Sequence, residues 1–148
     1  MNRSPKRAIL LVLAAVAGCS SSSPKPTRHT SVLDTLPPER RDAALLGREV
    51  FRLVDKAADY RGSHLGHPPT ELRLMGVESL APLVVRRIRV VNDSSVVTVA
   101  FRQPAGRRVT SCQGNAQVLE EASLSGGTFT VLCTTPAGTD AKYEVPAP

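Results

Sequence analysis

The chain has 148 residues, 41% hydrophobic and 22% charged, with 19 Lys and Arg against 13 Asp and Glu and a formal net charge of +6. That length suits one domain with its own core rather than several. Three Phe, two Tyr, no Trp and basic residues scattered along the chain argue against a nucleic-acid partner, which needs stacking platforms and a clustered positive surface.

Residues 1–18 place Arg3, Lys6 and Arg7 ahead of an apolar run that ends in small residues directly before Cys19. The run is about half the roughly 20 residues a spanning helix needs, which fits a secretory signal instead. Its end, Leu13-Ala14-Ala15-Val16-Ala17-Gly18-Cys19, resembles the lipobox of bacterial lipoproteins, with Val16, Ala17, Gly18 and Cys19 each matching. The resemblance implies that 1–18 are removed as a signal peptide. It also implies that the Cys19 thiol carries a diacylglycerol and that its new amino terminus is acylated, by palmitate or a similar chain. Cys19 is then a membrane anchor in the cell envelope. Ser20, where Asp would retain such proteins at the inner membrane, implies the outer membrane facing the periplasm, with the cell surface as the other location. Removing 1–18 takes away three basic residues and no acidic one, so the net charge drops from +6 to +3.

Residues 19–35 are read as the lipidated Cys and a flexible tether, since Ser-Ser-Ser-Ser-Pro-Lys-Pro-Thr offers nothing to bury. Residues 36–148 are read as a single α+β domain. Over 37–61, Ala43, Leu46, Val50, Leu53, Val54, Ala57 and Tyr60 recur at three- and four-residue steps, predicting an amphipathic helix. Pro37 and Pro38 suit its first turn, and Gly62 supplies a stop. A Gly/Pro loop follows over 63–69, and Thr70 is placed to cap a helical turn that Gly76 closes.

From Leu83 the period becomes two. A hairpin turning at Asn92-Asp93 pairs Val84 with Phe101, Ile88 with Val97 and Val90 with Ser95, so that the apolar faces coincide. Arg87 and Arg89 face the other way, and Arg86, opposite Val99, is expected near an edge with its head group in water. Pro104-Ala105-Gly106 and Pro136-Ala137-Gly138 each read as a type II turn with Pro at the first central position. Strands are predicted over 108–113, 128–133 and 141–145.

Cys112 and Cys133 form an even pair in an exported chain, which favours a disulfide over a nucleophilic thiol at Cys112 with no base in its local sequence. The stretch 116–124 decides whether that bond is feasible. As a strand between tight turns it puts the cysteines on opposite faces. As a helical turn or loop, with the helix formers Ala116, Gln117, Leu119, Glu120, Glu121 and Ala122 behind an Asn115 cap, it leaves their strands adjacent, and that reading is preferred. The expected fold is α+β, one N-terminal helix packed on an antiparallel meander of about four to five strands with one disulfide.

Ala57-Ala58-Asp59-Tyr60-Arg61, followed by Gly66-His67-Pro68-Pro69-Thr70-Glu71-Leu72-Arg73-Leu74-Met75-Gly76, resembles the globular head of type IV pilins and pseudopilins. There a helix ends near a Tyr and leads through Gly-x-Pro to Ser/Thr-x-Leu and a Gly. The likeness spans 36–133 and implies a pilin-like head. The prepilin cleavage site and long apolar helix of that family are replaced here by a lipobox and tether, which speaks against filament assembly.

No Walker loop, dinucleotide fingerprint or nucleophile elbow occurs. Adjacent Glu120 and Glu121 point apart on a helix and make no acid/base pair. His64 and His67 alone have metal-like spacing, and zinc needs three or four ligands, so no metal, cofactor or small-molecule substrate is expected. The expected role is a non-catalytic binding or scaffold lipoprotein, its partner another envelope protein of a secretion or pilus system. Arg87 and Arg89 are the candidate partner surface. Two other roles fit the same features: a pilotin-like chaperone of an outer-membrane channel, and a small metal-dependent hydrolase built on His64 and His67.

Overall fold

A computed structural model describes residues 31–148; the signal segment, Cys19 and the start of the tether, and with them the lipidation reading, lie outside the described residues. The first long element is the helix α1 (Pro38–Ser63), with Pro37 as N-cap and Pro38 inside the first turn, where a missing N–H costs nothing. Its expected stripe is the buried one: Ala43, Leu46, Val50, Leu53, Val54 and Ala57 all lie in the core, and Tyr60 is half-buried. The helix runs through Gly62, and His64 rather than that glycine caps its end.

An antiparallel sheet packs under α1. Its strands are β1 (Val84–Val91), β2 (Ser94–Phe101), β3 (Ser111–Gly114), β4 (Thr128–Thr134) and β5 (Asp140–Pro146), joined side by side in chain order as a meander. The expected α+β architecture is therefore the one formed. The hairpin register is also as expected, with Val84 opposite Phe101, Ile88 opposite Val97 and Val90 opposite Ser95. Asn92 and Asp93 both adopt positive φ, 50° and 56°, the geometry of a turn whose twist matches its flanking strands. Val97, Val99, Phe101, Phe129, Val131 and Val145 line the face toward α1 and are buried.

Between β3 and β4 the chain forms a second helix, α2 (Ala116–Leu124), whose first turn is capped by the Asn115 side chain accepting from the Gln117 N–H at 3.0 Å. With that stretch helical, β3 and β4 pair directly, Cys112 stands opposite Cys133, and the two are joined by a disulfide. Gly114, the last residue of β3, is tightly flanked by side chains of both α1 and α2. A Cβ there would lie 2.5 Å from Val118 Cγ2 and 2.7 Å from Val50 Cγ1.

Three local expectations change. Residues 31–35, read as the end of the tether, form a capped 3-10 turn over Val32–Thr35. Arg41 holds it, its guanidinium donating to the carbonyls of Leu33, Asp34 and Leu36. Thr70 caps nothing: the 3-10 turn Leu72–Met75 starts from Glu71 without a side-chain cap, although Gly76 closes it at φ 65° as expected. The two Pro-Ala-Gly turns differ in phase. The Arg107 N–H bonds to the Pro104 carbonyl, putting Pro first in the turn and Gly106 third, whereas Gly138 N–H bonds to Thr135 and Pro136 takes the first central position. Each Gly has positive φ, so the shared tripeptide fixes where φ must be positive but not where the turn begins.

Two outcomes check this packing. Replacing both bridging cysteines by Ala, across a sequence separation of 21, is expected to lower stability by about 3 kcal/mol in urea unfolding. Gly114→Ala has to push α1 and α2 outward and is expected to cost about 1–3 kcal/mol in the same measurement, against little or nothing for Gly62→Ala in open space on α1.

Candidate binding surface

The two helices cover one face of the sheet, and the alternation of β1 and β2 decides what is left on the other. Odd positions of β1 and even positions of β2 face outward, giving Arg87 opposite Thr98 and Arg89 opposite Val96. Both arginines are exposed, and neither lies within ion-pair distance of a carboxylate among the described residues. Arg102, just past β2, shares a shallow depression of about 330 Å³ with Arg87, walled by Val85, Ala100 and Ser111.

A second depression, about 310 Å³, opens on the same face where the sheet thins. β3 spans only Ser111–Gly114 between longer neighbours, so past Gly114 no strand lies between β2 and β4. Arg89, Val96 and Leu132 line the hollow from the sheet, and Gln117 and Glu121 from α2. The Gln117 amide donates to Glu121 Oε1 at 2.9 Å, while Glu120 is exposed. The wall mixes apolar side chains with the polar groups of Gln117, Glu121 and Arg89.

Arg86 departs from expectation. It lies on the inner face, with its side chain 15% exposed, and donates to Glu49 Oε1 at 2.5 Å and to the Glu78 carbonyl at 3.2 Å. Its head group is held under the flank of α1 rather than released to water. Glu49 also accepts from Arg52 at 2.7 and 3.0 Å. Burial pushes the Glu49 carboxyl up, and the hydrogen bonds and charges of Arg52 and Arg86 outweigh it, holding it below its ordinary 4.5. Asp42 at the other end of α1 is a further anchor, missed because its partners are remote in sequence. It accepts from the Arg108 N–H at 2.8 Å and from Arg107 at 3.1 Å, and Arg107 lies over the Phe101 ring.

The histidines do not converge on a site. The His64 ring stacks on Tyr60 at 3.7 Å between centroids, and its Nδ1 lies 2.8 Å from the Tyr60 carbonyl oxygen, which can only accept. That contact puts the proton on Nδ1 and holds the ring to the helix end. His67 is exposed on the loop beyond. Among the described residues no three or more His, Cys, Asp or Glu gather where they could hold a metal ion. No helix among them is long and apolar enough to cross a membrane.

Comparison with protein-family models, curated proteins and solved structures returned no match.

The ionised Glu49 stabilises the fold above pH about 4.5, and this contribution is lost as pH falls through its lowered folded-state value. Glu49→Gln takes up no proton there. The variant is expected to be less stable than the parent by about 1–3 kcal/mol at neutral pH, with the gap narrowing as pH drops from about 5 to 3, measured by urea unfolding at each pH.

Proposed function

We propose that this chain is a non-catalytic binding or scaffold lipoprotein of the cell envelope, anchored through Cys19 and engaging another envelope protein of a secretion or pilus system. The observation that carries the reading is the agreement of two independent features. Leu13–Cys19 has the residues of a lipoprotein signal end. Cys112 and Cys133 are joined in a disulfide at the centre of the sheet, a bond that belongs to an oxidising compartment outside the cytoplasm.

A binding role is supported by how the fold uses its charged residues. Arg52, Arg73, Arg86 and Arg107 are committed to carboxylates of the domain itself. Arg87 and Arg89 are left facing solvent on the uncovered face, beside apolar Val91 and Val96. The order of one long helix followed by a meander agrees with the pilin-like head that the sequence resembles, and a pilin-like head on a lipid tether is a capture module rather than a filament subunit.

The test is a crosslinking pull-down from the native envelope with the intact protein and Cys19→Ser, alongside labelling with an alkyne fatty acid. The expected outcome is label and membrane partitioning in the intact protein only, with a secretion or pilus component recovered only in that form. An unlabelled parent protein, or identical partners from the Ser variant, contradicts the reading.

A further inference from the structure

β1 is an edge strand, and only half of its edge is covered. The segment before it folds back, the Ala81 N–H donating to the Val84 carbonyl at 2.9 Å and the Arg86 N–H to the Ser79 carbonyl at 2.7 Å. These contacts identify which main-chain groups of β1 point away from β2: those of Val84 and Arg86, and in the same phase those of Ile88 and Val90. The outward groups of Ile88 and Val90 have no backbone partner among the described residues. The cover stops because Gly76, in the left-handed region, turns the chain away and leaves a groove of about 740 Å³ beside the edge. Leu72, Val77, Leu80 and Ile88 line it, with Arg87 at its rim.

We propose that this open edge captures an extended acidic segment of a partner protein, which adds as a sixth strand beside Ile88–Val91. The inference rests on the binding role proposed above and names the chemistry of its partner. A strand laid there has one face in register with Arg87 and Arg89 and the other over Ile88 and the groove. Alternating acidic and apolar residues satisfy both faces. Glu71 is neutralised by Arg73, and Glu78 lies at the closed end, next to the covering segment where the added strand stops.

Charge excludes two other occupants. A second copy docked β1 to β1 brings Arg87 and Arg89 against their own counterparts. The chain's own residues 20–30 contain Lys25 and Arg28, no acid, and two prolines that lack the N–H a ladder needs.

The experiment uses full-length acylated protein in phosphatidylcholine vesicles and a fluorescein-labelled peptide alternating glutamate and valine, followed by anisotropy. Saturable binding is expected, weakened about tenfold or more in Arg87→Glu/Arg89→Glu. The same peptide N-methylated at alternate residues should not bind, since it cannot form the ladder, and this arm leaves the protein unaltered. A lysine–valine peptide should also fail. Equal binding of the N-methylated peptide, unchanged binding to the double variant, or self-association of the protein in place of peptide binding overturns the proposal. If the double variant still recovers the native partner by crosslinking, the envelope role stands and only the edge-capture inference fails.

Discussion

One long helix, with the short α2 beside it, has to cover a five-stranded sheet, and most features of this molecule follow from how closely α1 can lie. The chain has few aromatic residues, so the core is built largely from Val, Leu and Ala. Small side chains fill a layer only if the backbones approach. Two glycines permit this. A Cβ on Gly47 would sit 3.2–3.4 Å from Val145, Val131 and Phe129, and one on Gly114 would intrude on Val50 and Val118. The helix is thus seated over β3, β4 and β5 at Gly47 and Gly114, and it is tethered at its flanks by ion pairs from Asp42 and Glu49. No comparable element remains for the opposite face, which is why β2 and β4 alternate buried and half-exposed positions along their whole length.

The readable part of this arrangement was the part governed by short-range periodicity. The stripe of α1 and the hairpin register need only the order of apolar residues, because a one-residue slip would turn Val97, Val99 and Phe101 to the wrong face. The reading of 116–124 as a helical turn or loop rests on propensity and a covalent constraint together, since the stretch holds good helix formers and only adjacent cysteine strands permit the bond. What was not readable was paired across long separations. Arg86 meets Glu49 from 37 positions away and Asp42 meets Arg107 from 65, and nothing local distinguishes Glu49 from the solvated acids of the same helix. Arg86 was expected in water because its strand is an edge. In the folded chain its guanidinium reaches Glu49 on α1 instead.

The same contrast applies to the candidate surface. That Arg87 and Arg89 share an outward face follows from alternation alone. That only part of the β1 edge is open does not, because it depends on where residues 79–81 fold back and on the left-handed turn at Gly76. The hollow beside Arg89 comes from β3 ending at Gly114 between longer neighbours; the predicted strand over 108–113 ends within one residue of this but starts three residues too early, and the lining from α2 depends on how that helix packs.

Orientation follows from the path of α1. Its first turns are bound through Arg41 to the 3-10 turn at Val32–Thr35 and through Asp42 to the loop that follows Phe101, the residue of β2 opposite the start of β1. Its last turns share a cavity wall with Ser94 and Ser95, just past the far end of β1. A helix of 26 residues spans about 39 Å, so the open edge at Ile88–Val91 lies well along the molecule from the start of α1. The covered half of the β1 edge is therefore the half nearer the start of α1, and the open half lies toward its far end. A partner strand added at the open half, as proposed, is thereby separated along the molecule from the 3-10 turn at Val32–Thr35.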